Sequence, residues 1–512
     1  MSLTREQMLE IFQKADATHN GEFITGVLTT GIYCLPSCKA RKPKPENVQF
    51  YATPEDARAA GFRACKKCKP DEFYLGEFAG ESLIEGLVES LFLEPARFKN
   101  VEALTVASGI GSSKLYELFR THYHATPLEI LMKARLEAAC RALLLSNRPV
   151  TEIAFEVGFE SLSSFNENFR SSLLLTPLEY RRMTEDMGFS IALPPDYPLE
   201  FILKHLARDS ESLTERIEGH TYTAAWRLEG QICVLEVALE PERATVKVLS
   251  SALSAGAFLE VHAKVLGLMG LNAQIERFEG LLEGDPKLKM LLGGSRDENK
   301  LGGSRDENKL SGSRAGYRFP LLPSLFDGLV RAIVGQQITV GFAATLRRRL
   351  VLLAGEAAGH DLYAPVTPEA LSKLEPSDLL ELGFTRARAD YLVQAARAVV
   401  EGKLPLETLR RKSAVRLERT LLAQRGIGPW TAHYLMMHAY GLPDCVPLGD
   451  TGLTEALKRF FALAERPDSK GTLEHMDAFR PFRSLATWHF WQYFYALERI
   501  EQAPLTKAKV TK

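Results

Sequence analysis

Four cysteines stand in two short-spaced pairs, Cys34-x3-Cys38 and Cys65-x2-Cys68, while an acid, Asp450, lies beyond the glycine-bearing turn Arg425-Gly426-Ile427-Gly428-Pro429. The cysteines could do sulfur chemistry on a metal, and the acid could stabilise a developing cation. Two Cys pairs separated by a loop suit a tetrahedral ion, because each pair offers one edge of the coordination sphere. The chain opens Met1-Ser2-Leu3-Thr4-Arg5 and runs into a polar helical pattern without a secretory signal. The thiols are therefore expected in a reducing compartment as ligands of one Zn2+, with disulfides or free thiols the alternative on spacing alone. Between residues 31 and 70 nine Lys and Arg stand against three acids, on a chain whose net charge is -1. Such a local surplus is an anion-binding footprint with DNA phosphate as the leading anion; the plainer reading is a solvated zinc knuckle.

Gly21-Glu22-Phe23, Thr29-Thr30-Gly31-Ile32-Tyr33-Cys34, Pro36-Ser37-Cys38, Glu46-Asn47-Val48 and Ala60-Gly61-Phe62-Arg63-x-Cys65-Lys66-x-Cys68 together resemble the N-terminal domain of the Ada family over roughly residues 15 to 72. The resemblance implies that Cys34, the first zinc cysteine, accepts a methyl group from a DNA methylphosphotriester. Four thiolates on a divalent cation leave the site negative, so it repels a phosphate diester, whereas a methylphosphotriester has lost its charge and can approach. Methylation removes one negative charge, after which the basic rim, with Arg41, Arg63, Lys66 and Lys67 expected at DNA, holds the duplex more tightly.

From Glu81 to Met183 the pattern is helical, with two helix-turn-helix candidates. The first runs from Val101 through a turn at Gly109 to Ser113–Arg120, and the second from Thr151 through Gly158 to Ser163–Ser171. Ser or Thr at the N-cap and Gly between the helices suit a tight interhelical turn, as they would in any αα-hairpin. Phe119-Arg120, Thr126-Pro127-Leu128, Arg135-Leu136-Glu137-Ala138-Ala139, Ile153-Ala154, Val157-Gly158-Phe159, Ser164-Phe165, Thr176-Pro177 and Tyr180-Arg181 resemble the AraC-type activator domain, which sets two recognition helices in successive major grooves. The resemblance implies that Ser113, Lys114, Ser163, Asn166 and Arg170 face DNA. Glu117 and Glu167 depart from the family, which more often carries Arg or Lys there.

The turn at Gly426-Ile427-Gly428 lets backbone approach another molecule, and the helix behind it opens with free N–H groups, a phosphate seat made of dipoles. Asp450 follows twenty-two residues after Gly428, in Pro447-Leu448-Gly449-Asp450-Thr451-Gly452-Leu453. Taken alone, an Asp after Gly449 reads as a helix N-cap. Together with Phe326-x-x-Leu329-Val330, Ile333-Val334-Gly335-Gln336-Gln337-Ile338 and Trp488-His489-Phe490-Trp491, these segments resemble the AlkA branch of helix-hairpin-helix DNA glycosylases over roughly residues 195 to 500. The resemblance implies that Trp430 and Tyr434 stack a cationic alkylated base. It places Asp450 beside the sugar as the stabiliser of oxocarbenium charge. Gln337 falls at the wedge position that fills the gap left by the flipped nucleotide. Trp430 stands where lyase-type relatives carry a Schiff-base lysine, so a monofunctional enzyme is expected. No cysteine follows Cys445 to build an iron–sulfur cluster, and no Pro-Cys-His-Arg segment marks an O6-alkylguanine acceptor.

Roughly two to four domains are expected from the length. The boundaries read 1–75 for the zinc and methyl-acceptor domain, 80–185 for the helix-turn-helix domain, 195–290 for a small α+β unit and 315–505 for the helical glycosylase. The fold class is thus multidomain and mainly α, with two α+β pieces. Residues 72–79 read as a linker, and Leu193-Pro194-Pro195-Asp196-Tyr197-Pro198 as a joint. Thr221–Leu239 and Arg243–Val248 alternate as strands, with Cys233 and Cys140 read as core thiols, and the chain from Tyr317 onward reads as helical. Segment 291–314 repeats Gly-Gly-Ser-Arg-Asp-Glu-Asn-Lys-Leu twice and reads as a flexible insertion.

The expected protein is a cytoplasmic, nucleoid-associated monomer of bacterial type with no membrane partner. It meets alkylated and promoter DNA and, as an activator, RNA polymerase. Two rivals remain: a glycosylase whose zinc and helix-turn-helix parts only tether it to DNA, and a transcription factor with a non-catalytic damage-binding half.

Overall fold

The N-terminal region folds around a small sheet whose strands are too short to bury a core alone. In the computed structural model, which describes residues 3–74, 79–250, 253–292 and 317–502, strands β1 (Ile24–Val27), β2 (Ile32–Cys34), β3 (Val48–Tyr51) and β4 (Arg63–Ala64) lie in the order β3-β1-β2-β4. One face packs Ile24, Tyr33, Leu35, Ala57 and Phe62; the other packs Phe12 and Val48 against Cys34, Cys38 and Cys65. Alternation along β2 thus sends Tyr33 to an ordinary core and Cys34 to the sulfur side. Helices α1 (Arg5–Lys14), α2 (Pro54–Ala59) and α3 (Pro70–Tyr74) surround the sheet. The third covers 72–74 of the expected linker; residues 75–78, like the repeat at 293–310, lie outside the described residues.

Seven helices follow: α4 (Ala79–Leu93), α5 (Val101–Ser108), α6 (Ser112–Tyr123), α7 (Pro127–Leu145), α8 (Val150–Glu156), α9 (Leu162–Leu173) and α10 (Pro177–Arg182). The same start signal is used twice, Thr126-Pro127 before α7 and Thr176-Pro177 before α10. Each Thr caps the backbone of a Glu three residues on, and that Glu reaches back to the Thr N–H, closing a capping box. Gly109 (φ +68°) and Gly158 (φ +99°) make the two interhelical turns in the left-handed region where glycine is favoured.

A five-stranded antiparallel sheet comes next, with β5 (Gly188–Ala192), β6 (Glu215–Glu218), β7 (Thr221–Leu228), β8 (Gln231–Glu240) and β9 (Arg243–Val248) in the order β5-β9-β8-β7-β6. Its first strand lies ahead of the Pro-rich joint and pairs along its whole length with β9. Helices α11 (Leu199–Leu206) and α12 (Ala255–Leu268) accompany it, whereas α13 (Ile275–Glu283) sends Ile275, Phe278 and Leu282 into the core of the helical region. Phe165, Phe169 and Tyr180 continue into the sheet's core through a ring chain that ends on His262 of α12, whose Nε2 lies 2.9 Å from the Leu173 carbonyl oxygen. Cys140 and Cys233 are both buried.

The remainder is helical, with one departure from the sequence expectation, the short hairpin β10 (Glu356–Gly359) and β11 (Leu362–Ala364). It interrupts a helical run because Gly355 and Gly359 break the pattern, and β11 packs on β7. Its helices are α14 (Leu325–Val334), α15 (Val340–Ala354), α16 (Pro368–Ser372), α17 (Pro376–Glu381), α18 (Arg386–Val400), α19 (Leu406–Leu409), α20 (Ala414–Leu422), α21 (Pro429–His438), α22 (Thr451–Phe461), α23 (Ser469–Met476) and α24 (Arg483–Gln502). Half-buried Arg331 of α14 bridges Asp327 at 2.5 Å and Glu215 of β6 at 3.2 Å, tying the sheet to the helical region. By contacts the chain divides into two compact units, residues 1–90 with 104–122 and residues 91–103 with 123–512. No described helix is long and apolar enough to cross a membrane.

Candidate functional site

In the first unit β4 pairs parallel to β2, Tyr33 opposite Ala64, so the residue after each strand's last pair, Cys34 and Cys65, arrives side by side. Cys38 closes a turn on the Leu35 carbonyl at 3.1 Å, and the Leu35 N–H donates to Cys68 Sγ at 3.3 Å. The four Sγ atoms lie within 4.8 Å of one another. A tetrahedral zinc with bonds of about 2.3 Å needs sulfur–sulfur edges of about 3.8 Å, a span this cluster matches. The hydrogen bonds Cys38 accepts from Cys34 and Cys68 hold its thiol far below the usual range, and the contact with Cys38 pushes Cys34 up. The donors are soft, largely buried and already sharing negative charge, so they fit Zn2+.

Around this buried cluster Arg41, Arg63, Lys66 and Lys67 are all exposed, as a DNA-facing rim requires. One further cation is closer. Lys42 donates from Nζ to the Cys38 carbonyl at 2.7 Å and lies 3.8 Å above the Phe12 ring. On α6 Ser113 is exposed, but Lys114 is held by Glu117 at 2.7 Å, and that pairing keeps the Glu117 carboxyl below its usual range. On α9 Phe165 and Phe169 turn inward, which leaves Ser163, Asn166, Glu167 and Arg170 outward; Asn166 and Arg170 also line an open groove with Val150, Leu162 and Leu178.

The second unit builds its site around Asp450. The residue is indeed the N-cap of α22, Oδ1 accepting from the Leu453 N–H at 2.6 Å. It is more than a cap. Trp430 Nε1 donates to Oδ2 at 2.8 Å and Trp491 Nε1 donates to Oδ1 at 2.8 Å. The carboxylate is therefore held by three N–H donors and the positive end of a helix; among the described residues no Lys or Arg pairs with it. The Trp430 ring meanwhile stacks on Tyr434, one turn along α21, with centroids 5.2 Å apart at 24°.

Supporting contacts fix these groups. Arg483, at the start of α24, grips Asp444 in bidentate fashion at 2.6 and 2.9 Å, and Ser484 Oγ donates to the Leu442 carbonyl while accepting from the Cys445 N–H. Those bonds set the register of α24 and hence the reach of Trp491. His433 Nδ1 accepts from the Val446 N–H at 3.0 Å, so its Nε2 carries the proton toward Glu418 at 2.9 Å, pinning α20 and α21 to the loop that leads to Asp450.

In the hairpin, Gly426 (φ +85°) has Tyr391 against it: an added Cβ would lie 2.2 Å from a ring carbon. That glycine serves the protein's own packing. Gly428 has open space around it and is the N-cap of α21, while Ile427 is buried as the anchor. Gln336 Nε2 donates to the Gly426 carbonyl at 2.8 Å and to Thr431 Oγ1 at 3.0 Å, fastening the next loop to the hairpin. Gln337 is exposed at φ +55°, a left-handed conformation unusual for a residue other than Gly, Asn or Asp. The sequence reading did not assign roles to Trp491, Gln336 or the Asp444–Arg483 pair. Trp491 lay in an aromatic run already noted, but its contact with Asp450 spans 41 residues and no local spacing announces it.

Comparison with known proteins matches three segments of the chain. The family described as the metal binding domain of Ada matches residues 7–71, a helix-turn-helix domain matches 104–183, and the HhH-GPD superfamily of base excision DNA repair proteins matches 330–481. A probable bifunctional transcriptional activator/DNA repair enzyme AlkA of Mycobacterium tuberculosis is 28% identical over 95% of this chain and 96% of its own length. The bifunctional transcriptional activator/DNA repair enzyme AdaA of Bacillus subtilis is 31% identical over 33% of this chain and 79% of its own length. Among solved structures, a 3-methyladenine DNA-glycosylase from Archaeoglobus fulgidus shares the fold, with a TM-score of 0.50, 22% identity, and coverage of 60% of this chain and 98% of its own. The four-cysteine cluster is the Zn2+ site of a zinc-binding domain, and the helical region is a DNA glycosylase fold.

Proposed function

The chain belongs to the family of bifunctional transcriptional activator/DNA repair enzymes, and from that premise we propose that it senses DNA alkylation at Cys34 and excises alkylated purines at Asp450. The observation that carries the excision half is the Asp450 carboxylate, held by three N–H donors beside the Trp430–Tyr434 stack. A flipped 3-methyladenine is cationic and stacks on those electron-rich rings. The glycosidic bond breaks with its electron pair leaving on the base nitrogen, and positive charge develops at the sugar C1′. Asp450 stabilises that charge. Both its oxygens already accept N–H bonds, so its work is electrostatic and the proton of the attacking water passes to solvent. With Trp430 in place of a lysine nucleophile, the reaction stops at hydrolysis and is monofunctional.

Bound Zn2+ would be held by Cys34, Cys38, Cys65 and Cys68 and would keep their sulfurs deprotonated at neutral pH. Cys34 Sγ attacks the methyl carbon of a methylphosphotriester. An S–C bond forms, the C–O bond breaks, and the electron pair stays on the phosphate oxygen, leaving a diester and S-methylcysteine. The rim of Arg41, Arg63, Lys66 and Lys67 then meets the restored phosphate charge. In this reading the methylated chain, a monomer on the bacterial nucleoid in the cytoplasm, binds promoter DNA through α6 and α9 and contacts RNA polymerase.

The Lys114–Glu117 pair favours a second reading, in which the helix-turn-helix only tethers the enzyme, because it neutralises a cation on the first recognition helix. A promoter footprint that appears only after methylation separates activator from tether.

The test is to mix excess full-length protein with DNA carrying radiolabelled methyl groups. Label should partition between the Cys34 peptide and free methylpurine. Asp450→Asn should slow purine release by about a thousandfold, the scale of losing a key electrostatic group, while leaving label transfer to Cys34 intact. Unchanged release in that variant would remove Asp450 from the mechanism, and an unlabelled Cys34 would remove the sensor.

A further inference from the structure

The aromatic column on α21 has a third member. Trp430, Tyr434 and His438 follow one another at a spacing of four residues, and the Tyr434–His438 ring centroids are 4.3 Å apart at 33°. The His438 imidazole also lies parallel to Trp491, at 9° and 5.8 Å. Trp430 and Trp491 are the two rings whose N–H groups hold Asp450. The column and the opposing indole therefore converge on the carboxylate at one end and on His438 at the other.

His438 is only 7% exposed, yet its Nε2 is buried with no hydrogen-bond partner. An orphaned polar atom in such a place is a cost that a Phe or Leu would avoid. Burial, reinforced by the nearby charges of Arg208 and Arg331, pushes the imidazole pKa down to about 3, so the ring is neutral. A neutral ring can border a cationic alkylpurine without repelling it, and it keeps one donor and one acceptor nitrogen.

We propose that His438 is a specificity-determining residue of the base pocket, its imidazole hydrogen-bonding the edge of the flipped purine that lies away from the sugar. Adenine and guanine differ on that edge, one presenting an amino donor and the other a carbonyl acceptor, so a group there discriminates between their alkylated forms. The inference rests on the glycosylase reading above. It adds a discriminating contact to the stacking by Trp430 and Tyr434.

The test measures single-turnover release of 3-methyladenine and 7-methylguanine from methylated duplex DNA by the full-length protein and by His438→Phe and His438→Gln. Phe keeps a ring but loses both nitrogens, and Gln keeps a donor and an acceptor. His438→Phe should change the ratio of the two rate constants by about tenfold or more, the scale of one buried hydrogen bond, whereas His438→Gln should stay within about threefold of the parent ratio. Should the Phe variant fail to fold, His438→Leu gives the same comparison. An equal loss on both lesions assigns His438 a purely structural role and overturns the proposal, as does an unchanged ratio. If the parent protein itself releases neither base, the glycosylase reading is what fails.

Discussion

The two proposed reactive centres hold negative charge in opposite ways. At the N-terminus four sulfurs gather within 4.8 Å, and their charge calls for a divalent cation. At Asp450 the charge is met by two indole N–H groups, one backbone N–H and a helix terminus, all formally neutral. A nucleophile that is consumed once can be a soft sulfur, presented from turns only 34 residues apart. A carboxylate that must survive turnover is better held by fixed dipoles, which stabilise charge without making it reactive. The first centre is local in the chain, and the second is assembled from α21, α22 and α24.

Metal removal should break this contrast most sharply. A chelator should unfold the zinc domain, since structural zinc contributes about 10–16 kcal/mol in small zinc modules, while purine release continues. Protease sensitivity of residues 3–74 and release assays on one sample check both halves.

Next in size is Arg483→Ala, which removes the bidentate grip on buried Asp444 and leaves it only the Arg480 contact at 3.1 Å; it should cost up to about 3 kcal/mol, read as a lower Tm together with weaker excision as α24 loosens. Acid should act on the same unit. Burial pushes His262 and His489 down to about 4 and His438 down to about 3, all below the ordinary 6.5. Below 6.5 the unfolded chain takes up protons that the folded chain refuses. Stability is therefore full above that pH and falls as pH drops toward 4, by about 1.4 kcal/mol per pH unit for each ring; thermal melts across that window test it.

Trp491→Phe removes one donor from Asp450 and should slow excision by up to about a hundredfold with DNA binding retained. Methyl transfer to Cys34 in the same variant should be unchanged. The smallest effect belongs to Glu117→Gln, which frees Lys114 from an exposed pair and should tighten promoter binding only a few-fold, with a steeper salt dependence.

Much of the architecture was readable because its signals are short-range. Thr126-Pro127 and Thr176-Pro177 begin helices in any context, since the capping Thr and its Glu lie three residues apart. Strands β7, β8 and β9 alternate visibly, whereas β5 and β6 were missed because their short edge segments carry little periodicity of their own. The β10–β11 hairpin was hidden for the same reason, being held by packing on β7.

By itself the sequence pointed to the metal, because two short-spaced Cys pairs suit a tetrahedral ion. It offered a helix N-cap as the plainer reading of Asp450, and the structure shows that cap. Only the tertiary structure decided that Trp430 and Trp491 would share that carboxylate and that the buried His438 imidazole would lie parallel to Trp491. The physical reason is that hydrogen bonds and ring contacts depend on where helices finally pack, and the Asp444–Arg483 clamp, across 39 residues, is what sets α24 in place.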